Sequence, residues 1–348
     1  MTKNILLVNR FTCSNLGDQE IANCYENFLL ENYNVKVHRT DYTSRRVTSL
    51  NLNSPLMLKP IKNMIKKLVS PRIVWISNVI RIFCKIKKSR AELVLIGGGQ
   101  LIMPGVFCLA AFIWTLISKL CGRNVVMANV GAGGNFDCID RWLIRRTMFL
   151  LDGVSFRDEK SSEIVRLICA EKMPAPVSTS DIVYTKKSEQ GLDMPRNYLA
   201  LAITDWSVFK LHGGSLTRHE YYETWMQLLI DEQKSKDVIL LVYATAEDYK
   251  ETLLFRKFVQ EKYNLSFAIA SIETIDDLRY ILSTSRSLIS GRMHSLLFAA
   301  QCHCAIRPYF ISDKIVSFYS DFLNLGLKSL RKKAVVTTRD FLKTYLKN

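Results

Sequence analysis

The stretch Ser287-Leu288-Ile289-Ser290-Gly291-Arg292-Met293-His294-Ser295-Leu296-Leu297-Phe298-Ala299-Ala300 reads as a strand, a glycine turn and a helix in immediate succession. Ser287 to Ile289 is a short apolar run, and the apolar spacing after His294 is that of a buried helix. Gly291 to His294 therefore falls at a strand-to-helix turn, where α/β proteins place chemistry. A helix N-terminus offers unpaired N–H groups and a positive dipole end, and an arginine fork and an imidazole flank it here. That combination describes an anion site. The plainer reading, a surface arginine and a histidine satisfied at a helix start, must be weighed against the rest of the chain.

Outward from this turn the same alternation recurs. Asn4 to Val8 is an apolar strand, and Ser14-Asn15-Leu16-Gly17-Asp18 is a polar turn into a helix over Gln19 to Leu30. Asn15 and Asp18 are cap-type residues that can also face a ligand at a sheet edge. Tyr33 to His38 follows as a second strand. Leu93 to Ile96 runs into Gly97-Gly98-Gly99-Gln100, which has neither a Walker loop nor dinucleotide-fingerprint spacing. Val106 to Ile117 is a buried helix, too short to span a bilayer. Val125 to Val130 ends in another glycine turn, and Gly153 to Phe156 is a short strand with Arg157 at its carboxyl end, where open α/β sheets bind ligands. An ion pair between Arg157 and Asp158 or Glu159 is the competing use of that arginine. Prolines and polar residues gather at 173–176 and 184–195, and a second strand–helix series begins at Tyr198. The spacing predicts an α/β fold of two Rossmann-like domains facing a cleft. The first covers 1–183 with an insertion at about 42–91, and the second covers 196–348.

The chain has 348 residues, 48% hydrophobic and 23% charged, which excludes a disordered or repetitive protein. Nine scattered cysteines, mostly within apolar segments, indicate reduced thiols and a cytoplasmic setting. Cys302-His303-Cys304 lacks a second ligand pair at zinc spacing, so no metal is expected. The formal charge of +16 is uneven. Between Asp41 and Glu92 stand 12 Lys and Arg and no acid, interleaved with Ile, Val, Leu, Phe and Trp75. Mixed basic and apolar residues of this kind fit an anionic membrane surface. A solvated basic face on packed helices is the plain alternative, and no nucleic-acid-binding signature accompanies the charge.

Taken in order, the motifs resemble those of the polysaccharide pyruvyl transferase family. Asn15-Leu16-Gly17-Asp18 is similar to its Asn-x-Gly-Asp, and Gly97-Gly98-Gly99 to its triple-glycine turn. Ser155-Phe156-Arg157-Asp158 is similar to its Ser-x-Arg-Asp, and Arg292-Met293-His294 to its Arg-x-His. Asp313-Lys314-Ile315 resembles the lysine segment that follows. Ser180-Asp181-Ile182 departs from the pattern in lacking the proline that often follows the aspartate. The resemblance implies a GT-B-like fold, phosphoenolpyruvate as donor, no further cofactor, and a saccharide acceptor on which a pyruvate ketal forms. It implies that Arg157, Arg292 and His294 hold phosphoenolpyruvate; on chemical grounds His294 is then the candidate general acid or phosphate stabiliser and Asp18 a candidate for orienting or deprotonating the acceptor. Asn15, Gly17, Gly98, Gly99 and Asp181 then line the cleft or its acceptor side. The implied place is the cytoplasm, peripheral to the inner face of the cell membrane. A glycosyltransferase of similar fold using a nucleotide sugar, or a non-catalytic membrane-peripheral scaffold, are the rival readings.

Overall fold

A computed structural model describes residues 2–43, 76, 78–170, 173–187 and 195–346. Most of the basic insertion expected at 42–91, and residues 188–194 of the proline-rich stretch, lie outside the described residues.

The first half alternates β1 (Lys3–Asn9), α1 (Leu16–Asn32), β2 (Val35–Asp41), α2 (Asn78–Ser89), β3 (Leu93–Ile102), α3 (Val106–Leu120), β4 (Asn124–Ala132), α4 (Cys138–Leu150), β5 (Gly153–Phe156), α5 (Glu159–Cys169) and β6 (Val177–Ser178). These strands form one parallel sheet in the order β2-β1-β3-β4-β5-β6. A 3-10 turn, Ile182–Thr185, leads toward the second half. There β7 (Tyr198–Ala202), α6 (Trp206–Leu211), α7 (Arg218–Glu232), β8 (Val238–Leu241), α8 (Ala246–Tyr263), β9 (Ala268–Ile269), α9 (Ile275–Thr284), β10 (Ser285–Ser290), α10 (Met293–Gln301), β11 (Ala305–Pro308) and α11 (Asp313–Leu346) follow. Their parallel sheet has the order β11-β10-β7-β8-β9.

The sequence places a turn at the three glycines, whereas β3 runs straight through them, with Gly97 opposite Ala128 and Gly99 opposite Val130. A strand can hold these glycines because α1 lies directly over them. A Cβ on Gly98, at φ +72°, would sit 2.1 Å from Ile21 Cγ2 and 3.0 Å from the Tyr25 ring. The helices begin where their caps dictate. Asn15 accepts from Gly17 N–H (2.9 Å), Asp158 accepts from Ser161 N–H (2.7 Å), and Thr274 and Asp277 form a reciprocal capping box.

The two halves share buried contacts. Glu20 of α1, in the interior, accepts from Arg279 of α9 (2.9 Å) and from Lys186 (2.9 Å), while Gln301 of α10 donates to the Val183 carbonyl (2.9 Å). Leu16 N–H donates to the Ala244 carbonyl (3.0 Å), bringing the start of α1 to the end of β8. α11 breaks at Gly326 (φ 70°, ψ 158°), and its remainder reaches back to the first sheet. There Asn129 of β4 donates to Thr338 Oγ1 (2.9 Å) and Tyr345 donates to the Asp152 carbonyl (3.1 Å). Residues 196–348, read from the sequence as one domain, thus include a helix whose second part packs on the other sheet.

Candidate active site

The carboxyl ends of both sheets face a cleft of about 250 Å³. Arg10 follows β1, Asn15, Gly17 and Asp18 open α1, and Gln100 and Met103 end β3 and its turn. Arg157 follows β5. From the other side come Thr245 at the start of α8, Arg292 to Ser295 at the start of α10, and Lys314 at the start of α11. The lining thus carries four cationic side chains and an imidazole against one carboxylate, Asp18.

Arg292 and Arg157 are fixed from behind. Arg292 meets Asp248 with two bonds, Nε to Oδ2 (2.9 Å) and Nη2 to Oδ1 (2.6 Å). Burial presses its basicity down, but the Asp248 carboxylate outweighs that and raises it. Thr245 in turn accepts from Asp248 N–H (3.0 Å), so the cap of α8 also seats the anchor of Arg292. Arg157, 5% exposed, donates from Nη1 to Asp181 (3.2 Å) and from Nε to Asp158 (3.3 Å). The ion pair with Asp158 that the sequence offers as an alternative forms, and the same guanidinium still lines the cleft. Arg10 holds Asp18 at 2.8 Å.

His294 Nε2 stands 3.4 Å from Asp181 Oδ2, and its ring lies against Gly17, where a Cβ would come 2.5 Å from Nδ1. Burial alone would push the Asp181 carboxyl up. The hydrogen bond and charge of His294, the Arg157 guanidinium and the Val183 N–H reverse this and hold it well below the usual carboxylate range. Asp181 therefore sits behind both Arg157 and His294 as an anion, and it does not line the cleft. Lys314 is half-buried, and its amine is brought down to about 7, first by burial and then by the Arg157 charge, with Asp181 and Asp18 pulling the other way.

Of the residues singled out from the sequence, Asn15, Gly17, Asp18, Arg157, Arg292 and His294 come together on the cleft wall. Gly98 and Gly99 lie beneath α1, Gly99 with a Cβ position 3.5 Å from Asp18 Oδ1. Cys302 and Cys304 are buried, while His303 is exposed between them at φ 57°. Sequence reasoning missed Arg10, Gln100, Met103 and Thr245. Arg10 carries the same signal as Arg157, an arginine at the carboxyl end of a strand. Asp248 stands 44 residues from Arg292, and no local pattern announces that pairing.

A family model described as polysaccharide pyruvyl transferase matches residues 15–306. No curated protein matches the sequence. Among solved structures, the Methanocaldococcus jannaschii UDP-GlcNAc 2-epimerase in complex with UDP-GlcNAc and UDP superposes over 99% of this chain and 100% of its own, at 12% identity and TM-score 0.55. The S. aureus MnaA-UDP structure covers 99% and 97% at 10% identity and TM-score 0.52. The Neisseria meningitidis UDP-GlcNAc 2-epimerase bound to UDP-GlcNAc covers 100% of both chains at 10% identity and TM-score 0.50. These likenesses carry the architecture, a GT-B-like pair of α/β units around a cleft.

Proposed function

Because the chain belongs to the polysaccharide pyruvyl transferase family, we propose that it moves the pyruvyl group of phosphoenolpyruvate onto a saccharide of the cell envelope, or its lipid-linked precursor, and closes a pyruvate ketal. The observation that carries this reading is the charge of the cleft. Arg10, Arg157, Arg292, Lys314 and His294 converge on a small volume with a single carboxylate among them. A donor bearing both a carboxylate and a phosphate suits such a lining, each charge-assisted bond contributing roughly 1.5–3 kcal/mol.

In the proposed reaction a proton adds to the methylene carbon of the enol and C2 becomes electrophilic. One sugar hydroxyl adds to C2, the C2–O bond to phosphate breaks, and a neighbouring hydroxyl adds to close the ketal. Of the two hydroxyl protons, one replaces that taken up by the methyl group and one leaves with phosphate. His294 is the proposed acid or phosphate partner, with Asp181 behind it to fix the ring. Asp18 faces the same space from the first half and is the proposed group for orienting the acceptor hydroxyl, with Arg10 holding it in place. Nothing in these steps calls for a cofactor beyond the donor itself.

Thermal denaturation against phosphoenolpyruvate, phosphate, UDP and UDP-GlcNAc tests the donor. UDP belongs in the panel because the Methanocaldococcus and S. aureus proteins carry it in their structures. Ligand at a hundred times its dissociation constant adds about 2.7 kcal/mol, a shift of a few degrees. The expected result is a shift with phosphoenolpyruvate that Arg157→Ala and Arg292→Ala abolish. A shift with UDP alone would replace pyruvyl transfer by transfer from a nucleotide sugar, and full turnover by His294→Ala would remove the acid role.

A further inference from the structure

α2, α3 and α4 lie side by side on the outer face of the first sheet, with α3 touching both neighbours. Their inner sides bury Ile82, Ile86, Trp114, Leu143 and Ile144. On an ordinary surface helix the opposite side is polar. Here it is apolar. On α4, Trp142 and Phe149 stand seven residues apart on the outward line, 49% and 71% exposed. On α2, Ile80 is 74% exposed, and Phe83 is exposed one turn further along. Between these helices α3 presents the half-buried Phe112, whose ring meets that of Trp142 at 5.7 Å. Large apolar side chains gathered on three adjacent helices are uncommon on a free surface.

The exposed charges on the three helices themselves have one sign. Lys85, Lys87 and Lys88 on α2 and Arg141, Arg145 and Arg146 on α4 are exposed, and none forms an ion pair among the described residues. Arg146 lies over the Trp142 ring at 5.6 Å and Lys87 over Phe83 at 5.7 Å. Both helices thus carry an aromatic body with a cation beside it.

We infer that the outer face of α2, α3 and α4 seats the protein on an anionic lipid surface. Such a surface takes both components at once, since Trp and aliphatic side chains enter the interfacial layer while Lys and Arg stay at the headgroup phosphates. A second copy of the chain would set these like charges against each other. A nucleic acid would meet the cations but offer no apolar phase to Trp142, Phe149 and Ile80. Among the described residues no helix is long and apolar enough to cross a membrane, so the contact is one of seating.

The seat also has a direction. α3 and α4 start where β3 and β4 end, at the cleft, and α2 leads into the opposite end of β3, so its first residues are at the cleft end too. Ile80 and Trp142 therefore lie at the cleft end of the layer. An acceptor held in the same surface would meet the cleft without leaving it, which points to a lipid-linked saccharide. That choice of acceptor rests on the pyruvyl transfer proposed above, but the docking does not.

Flotation with phosphatidylcholine vesicles, with and without phosphatidylglycerol, tests the surface. Two double variants on α4, Trp142→Ser with Phe149→Ser and Arg145→Glu with Arg146→Glu, are compared with a charge-matched control on α8, Lys250→Glu with Arg256→Glu. Circular dichroism and phosphoenolpyruvate-dependent melting check that the cleft is intact. The expected result is recovery with the anionic vesicles only, reduced about tenfold or more in both α4 variants and unchanged in the control. Equal losses in the control would show attraction by net charge alone and overturn the assignment. So would undiminished flotation of the α4 variants, or a dimer in sedimentation that those variants turn to monomer while vesicle recovery stays the same. Loss of flotation with donor binding intact would leave the proposed chemistry standing, and the reverse would leave the seat.

Discussion

Two side chains set how the cleft treats an anion, and each carries a test. Gly17 is the floor on which the His294 ring rests. Gly17→Ala puts a methyl where Nδ1, Cγ and Cβ of that ring lie within 2.5–3.0 Å, so the ring must swing away. The helix itself gains from the change, because alanine is favoured over glycine by up to about 1 kcal/mol. The expected outcome is a melting point unchanged or slightly raised, with turnover falling roughly tenfold to a hundredfold, as a displacement near 1 Å would cause. Unaltered turnover would show that the ring position is immaterial. Lys314, whose amine is brought down to about 7, is cationic on the acid side and neutral above. Phosphoenolpyruvate affinity should therefore fall as pH rises through about 7, by about tenfold, the worth of one charge-assisted contact. The sign for the unliganded protein is opposite. The unfolded amine keeps its proton to about 10.4, so stability rises with pH between the two values. Titration calorimetry of the wild type and Lys314→Gln separates this amine from the donor's own ionisation, since only the wild-type affinity should carry the extra step. At this scale the sequence is legible where a residue's position on a strand or turn announces it, as with Arg157 and Arg292. Asp181 was visible only through a motif, because its work is done through two other side chains distant in the chain.

Among the elements, α11 is the one that the division into two domains misplaces. Local sequence pattern does not report that Gly326 turns the chain from one sheet to the other. That residue occupies φ 70°, ψ 158°, a region essentially closed to side chains. Gly326→Ala is expected to cost about 1–3 kcal/mol, readable as a lower urea midpoint at unchanged slope. A variant as stable as the wild type would mean that the break can be made elsewhere. β3 shows the complementary case. Its three glycines look like punctuation, yet they lie within the strand because α1 needs their missing side chains. The cap of α1, by contrast, was legible: of the two candidates Asn15 and Asp18, it is Asn15 that accepts the Gly17 N–H, while Asp18 stands in the first turn.

For the whole molecule, the alternation of strands and helices was plain in the sequence, and the parallel sheets follow from it. What joins the halves was not, since it depends on pairs far apart in the chain. Glu20 and Arg279 are separated by 259 residues and buried together at the junction. Glu20→Gln removes the carboxylate that Arg279 and Lys186 share at the junction, at an expected cost of about 3–5 kcal/mol. Chemical denaturation followed by tryptophan fluorescence should show the loss, and a midpoint equal to that of the wild type would rule out a stabilising clasp. The return of α11 has a further consequence, in the timing of synthesis. Asn129, wholly buried in β4, waits 209 residues for the hydroxyl of Thr338. At about 5–20 residues per second, a ribosome takes roughly 10–40 s to supply it. Through that interval the stretch of β4 around Asn129 lacks the helix that closes over it, and whatever shelters a nascent chain must shelter this one.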